Sequence, residues 1–146
     1  MPGATKVDFY LLGSAENRAR LLTACRLAEK ACEQQLRVSV LASGPPEAAE
    51  LDELLWTFSD RSFVPHGSWP ADPEFAAATP VLVGSGSPPG THRDVLINLG
   101  PNMPEEPATY ARICEVVGAG DDDRQMARSR WRSYREAGFT LDTHDL

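Results

Sequence analysis

A strand–helix–strand pattern opens the chain and narrows the fold more than anything else in it. Val7-Asp8-Phe9-Tyr10-Leu11-Leu12 is a short apolar run closed by Gly13 and Ser14; it predicts a mostly buried first strand. Residues 15–36 then place Leu21, Leu22, Cys25, Leu27, Ala28, Ala31, Cys32 and Leu36 at helical spacing, with Arg18, Arg20, Arg26, Lys30 and Glu33 largely on the other side. That is an amphipathic helix, with Ser14 expected as its N-cap. Arg37 to Ala42 reads as a second strand, closed by Gly44-Pro45-Pro46. Two strands joined by a helix of this length run parallel, with a right-handed crossover.

The rest of the chain extends the pattern. Residues 46–57, with Ala49, Leu51, Leu54, Leu55 and Trp56, predict a second helix. Ser62 to Thr79 reads as loop, yet it carries Phe63, Val64, Trp69 and Phe75, so it is expected to fold back on the core or make contacts. Val81–Val83, Val95–Leu99 and Arg112–Val117 are further strands. Asp121-Asp122-Asp123 suits the start of a final helix that runs to about Ala137 and stops at Gly138. The expectation is an α/β fold of three layers with a mostly parallel sheet. At 146 residues, one domain over 1–146 is expected.

Composition excludes several functions. The net charge of −7 argues against a general nucleic-acid binder, which needs clustered positive charge. Three Cys without a Cys-x-x-Cys, and three scattered His, predict packed thiols and no metal site. Met1 to Lys6 lacks the regions of a signal peptide, and no apolar run approaches a membrane span, so a cytoplasmic protein is expected. Sheets of this kind often bind nucleotides. However, Gly13-Ser14-Ala15-Glu16-Asn17 matches no phosphate loop, and Gly84-Ser85-Gly86-Ser87-Pro88-Pro89-Gly90 lacks the Lys and loses donors at its prolines. No Gly-x-Ser-x-Gly elbow is present. His66 and His92 read as surface or loop residues, and Asp52-Glu53 and Glu105-Glu106 as solvated acids. No active site and no cofactor are expected; a small nucleotide-binding, hydrolase-like enzyme is the alternative.

The final helix is the informative segment. Residues 124–139 hold five Arg against one Glu, a net +4, which leaves about −11 on the rest of the chain. At about 100° per residue, Arg124, Arg135, Arg128 and Arg132 fall within roughly 80°, with Trp131 at the edge of the stripe. Met126, Ala127, Tyr134 and Ala137 are expected to face the core, and Arg130 turns to that half as a structural residue. An Arg stripe beside an indole suits a short acidic peptide with a hydrophobic end. A second patch comprises Trp56, Phe63, Val64, Pro65 and Trp69, read either as core or as a protein interface.

These two patches carry a resemblance. Phe9-Tyr10-Leu11-Leu12, Leu51-Asp52-Glu53 with Leu55-Trp56, Ser62-Phe63-Val64-Pro65-His66, Arg93-Asp94-Val95-Leu96-Ile97-Asn98-Leu99, Ala127-Arg128, Tyr134-Arg135 and Ala137-Gly138-Phe139 occur in this order. In order and spacing the chain resembles the chi subunits of bacterial DNA polymerase III holoenzyme, part of the clamp-loader complex. The resemblance implies a nucleotide-binding-like fold without a nucleotide site, at the replisome in the cytoplasm. It implies two partners: a psi subunit of the clamp loader and the acidic C-terminal tail of single-stranded DNA-binding protein (SSB), with DNA met only indirectly. It assigns the tail to Arg124, Arg128, Trp131, Arg132 and nearby Arg135, and the psi contact to Trp56 and Phe63 with Val64 and Pro65.

Overall fold

In a computed structural model of the chain, residues 4–61 and 63–146 are described; Met1 to Gly3 and Ser62 lie outside them. The backbone runs β1 (Lys6–Leu11), α1 (Asn17–Glu33), β2 (Val38–Leu41), α2 (Pro45–Thr57), β3 (His66–Ser68), α3 (Pro73–Ala78), β4 (Val81–Gly84), β5 (Val95–Asn98), β6 (Arg112–Val117), α4 (Asp121–Glu136) and β7 (Thr140–Asp145). The seven strands form one sheet in the order β3-β4-β2-β5-β6-β1-β7. Every pairing is parallel.

Strand alternation sorts the core into two layers. On one face Val38, Val40, Val81, Val83, Val95 and Ile97 pack under Leu21, Ala24 and Ala28 of α1 and Leu51, Leu54 and Leu55 of α2. On the other, Val7, Phe9, Leu96, Ile113 and Val117 meet Ala127 and Tyr134 of α4, and Leu82 meets Trp69 and Ala76 around α3. Helices therefore cover both faces. β4 and β5 are buried throughout, which is why their apolar runs are unbroken. No described helix is long and apolar enough to cross a membrane.

Several expectations are corrected. Ser14 is not the N-cap of α1; that position is Glu16, and the Ser14 hydroxyl, two residues before it, instead accepts from the Glu16 N–H. The stretch 62–79 is not all loop, since it contains β3 and α3. Trp69 is core: only 9% exposed, it lies over Gly84, where any Cβ would stand 2.4 Å from the indole. His66 is buried in β3, and His92, in a loop as expected, is buried rather than at the surface. Met126 and Ala137 are exposed, because α4 turns a narrower arc inward, centred on Ala127, Arg130 and Tyr134. β7 is an added seventh strand, recruited beside β1 from Lys6↔Thr140 to Leu11↔Asp145.

Candidate functional site

α4 is placed by both of its ends and by one buried contact. Three Asp fill its first turn, where the helix dipole favours them. Gly138, at φ +92°, ends it in a conformation that disfavours a side chain. Between them Arg130 is buried, its Nε donating to Glu115 Oε1 at 3.1 Å and its Nη1 to the Pro101 carbonyl at 2.8 Å. Tyr134 donates to Glu115 Oε2 at 2.7 Å, and Asn98 donates to the same carboxylate from β5. Arg130 is thus structural, as its position on the helix predicts.

This anchoring leaves a groove of about 400 Å³ between α4 and the outer strands. Phe9 and Leu11 of β1, Thr143 of β7, and Ala127 and Trp131 of α4 line its floor, and Arg124, Arg128 and Arg132 surround it. Phe9 holds the half-buried Trp131 edge-on at 5.3 Å between ring centroids and Tyr134 likewise at 6.0 Å. Arg124 is oriented by the strand ends: its Nη2 donates to the Leu12 carbonyl at 2.9 Å and its Nε to the Gly118 carbonyl at 3.3 Å. Arg128 and Arg132 are exposed, with no ion-pair partner among the described residues. Guanidinium groups of this kind take carboxylates by paired hydrogen bonds. The apolar floor takes a side chain.

Arg135 does not line this groove. A helical projection aligns it with Arg124, but it stands eleven residues on, roughly 16 Å farther along the axis. Phe9, Leu11 and Thr143 were not identified from sequence as part of the site. Period-two alternation puts Phe9 and Leu11 on one face, yet nothing local says that α4, more than a hundred residues later, covers that face.

The second patch lies at the other sheet edge. Trp56 is 56% and Phe63 68% exposed, with their rings 5.7 Å apart. Trp56 also packs on His66 at 4.6 Å, and His66 Nε2 lies 2.9 Å from the Asp52 carbonyl, tying β3 to α2. Pro65 is half-buried beside them. Val64 corrects the expectation of an interface residue: at 2% exposure its side chain belongs to the core under α2 and has no surface to offer. The preceding motif residue, Ser62, lies outside the described residues.

Asp8, Asp142 and His144 converge at the β1–β7 edge within 4.8 Å. Arg112 Nε reaches Asp8 at 2.8 Å, His144 at 2.9 Å and Lys6 at 3.6 Å. Two cations, Arg112 and Lys6, and the His144 ring already engage that carboxylate, so the donor set is a hub of polar contacts. Burial alone would raise the Asp8 carboxyl; hydrogen bonds from His144 and Arg112 and the charges of Arg112 and Lys6 outweigh it and hold the group below its ordinary value.

Residues 4–142 match the family described as DNA polymerase III chi subunit, HolC. DNA polymerase III subunit chi of Pseudomonas aeruginosa is 43% identical over 142 residues, covering 97% of each chain. The Escherichia coli protein of the same name is 29% identical over 119 residues, 82% of this chain and 80% of its own. That of Haemophilus influenzae is 27% identical over 144 residues, 98% and 99% of the two chains. The chain belongs to the DNA polymerase III chi-subunit family, accessory subunits of the replicative polymerase.

Proposed function

We propose that this protein is a non-catalytic tether that links the clamp loader, through a psi-type subunit, to the acidic C-terminal tail of SSB on coated DNA in the bacterial cytoplasm. The observation that carries the reading is the α4 groove, a cationic rim over an aromatic floor in a chain of net charge −7. The tail's carboxylates meet Arg128, Arg132 and the remaining donors of Arg124, and its apolar end sits against Trp131 and Phe9. Trp56, Phe63 and Pro65 form the psi-facing patch. A weak tail contact suffices, because many SSB copies and attachment to the holoenzyme raise its effective concentration.

A tail-peptide titration at several salt concentrations, with an oligonucleotide as control, tests this. Screening acts over roughly 10 Å at 0.1 M salt, so tail affinity falls as salt rises. Bare single-stranded oligonucleotide binds weakly even at low salt, because the acidic remainder of the surface repels a phosphate chain. Tight oligonucleotide binding, or tail affinity indifferent to both salt and the Arg rim, contradicts the reading.

A further inference from the structure

We infer that a second groove, on the opposite face of β1 from the α4 groove, docks an acidic peptide segment carrying an apolar side chain. This groove, of about 580 Å³, runs between α1 and the β1–β6 part of the sheet. Its wall on α1 carries Arg26 and Lys30 and its wall on the sheet carries Arg112 and Tyr10, while Leu27 and Cys114 are among the apolar residues lining it. Arg26 and Lys30 are therefore the unpaired cations of the groove, both on α1, while the charge of Arg112 on the sheet is already balanced by Asp8.

Arg26 and Lys30 are exposed, one turn apart, and neither has an ion-pair partner among the described residues. The acids of that part of α1, Glu29 and Glu33, do not line the groove. Asp8, the acid of the neighbouring strand, is 1% exposed and already held by Arg112 and His144. Two like charges on adjacent turns repel one another. An incoming carboxylate relieves that repulsion.

A peptide fits better than a nucleotide. The groove has no glycine loop to present backbone N–H groups to a phosphate. One ring face it could offer a base, Tyr10, is already stacked on His144 at 4.8 Å. What remains for a side chain is the half-buried Leu27, since Cys114 is only 1% exposed, with Arg26 and Lys30 one turn apart for carboxylates. The ligand chemistry matches that of the α4 groove, but the two share no lining residue. The protein would thus engage two acidic segments at once, one on each face of β1.

The test is a titration of the full-length protein with the probe acetyl-Asp-Asp-Asp-Leu-Phe, followed by NMR. The Ala31 and Val95 methyl signals report the α1 groove, and the Trp131 indole N–H reports the α4 groove. Both sets of signals are expected to shift. Arg26→Glu with Lys30→Glu should weaken the α1-groove response about tenfold or more while sparing the indole response. Both positions are exposed and unpaired, and the milder Arg26→Gln with Lys30→Gln pair should reproduce the direction of the loss. Conversely, Arg128→Glu with Arg132→Glu should abolish only the indole response. If only the indole shifts, the second groove is refuted and the tether reading stands. If only the α1-groove signals shift, the second groove stands and the assignment of the α4 groove fails. Inorganic phosphate or ADP shifting the α1-groove signals as strongly as the peptide would overturn peptide docking there.

Discussion

Glu115 has no exposed surface, yet its carboxylate receives donors from Asn98 on β5 and from Arg130 and Tyr134 on α4. Burial pushes this carboxyl up, and the Arg130 charge and the three donors pull against that rise. The network seats the helix that carries the α4 groove. Arg130→Met would strand a buried carboxylate, and the expected cost is about 3–5 kcal/mol in a denaturant melt. Exposed Arg128→Met should stay within about 0.5 kcal/mol in the same melt. The inward turn of Arg130 was legible in its helical position. Its partner was not, because Glu115 sits on another element and pairs only in the folded chain. Asp8 gives the pH expectation. Its folded carboxyl lies below the ordinary 3.8, so its contribution is full above that value and is lost as pH falls through the folded value. Glu115 acts with the opposite sign, since its raised carboxyl takes a proton first in the folded state. Asp8→Asn should therefore flatten the acid limb of a stability–pH curve; an unchanged limb would place the acid sensitivity elsewhere.

The elements that were legible are those whose patterns are long. α1, α2 and α4 show a helical period, and β1, β2, β4, β5 and β6 show as apolar runs between turn residues, so all eight were legible. α3 is six residues long, less than two turns, so no period can form. It did leave a local signal: Asp72 accepts from the Phe75 N–H at 3.0 Å and Pro73 follows the cap. β7 reads Thr-Leu-Asp-Thr-His-Asp, a polar edge strand that exists because β1 pairs with it. Its polar character suits an exposed edge, which must not recruit further strands. Thr143 reaches the α4 groove only through that pairing. At the end of α4, Gly138 permits the turn into β7 at φ +92°. Gly138→Ala should cost about 1 kcal/mol, read as a lowered thermal midpoint, because a Cβ disfavours the left-handed region. An unchanged midpoint would mean that the helix end relaxes without penalty.

Across the whole molecule, the two exposed patches lie at opposite ends of the sheet. β3 and β7 are its edge strands, about 29 Å apart over six inter-strand spacings. α2, beside the Trp56–Phe63 pair, covers one face, and α4 covers the other. The Arg rim was readable from sequence because charge on a helix surface needs no partner to be seen. The groove floor and the burial of Val64 were not, because each depends on which segment of the chain arrives to cover it. Two surfaces so far apart can hold two partners without competition, as a tether requires. The most direct measurement is a paired binding assay of Arg128→Ala and Phe63→Ala against the SSB tail and a psi-containing clamp loader. Arg128→Ala should weaken tail binding by about 1.5–3 kcal/mol and leave clamp-loader binding intact. Phe63→Ala, at a site 68% exposed, should keep its fold and its tail affinity but release the clamp loader. Loss of both partners in either folded variant, or of neither partner in both, would contradict a tether with two independent faces.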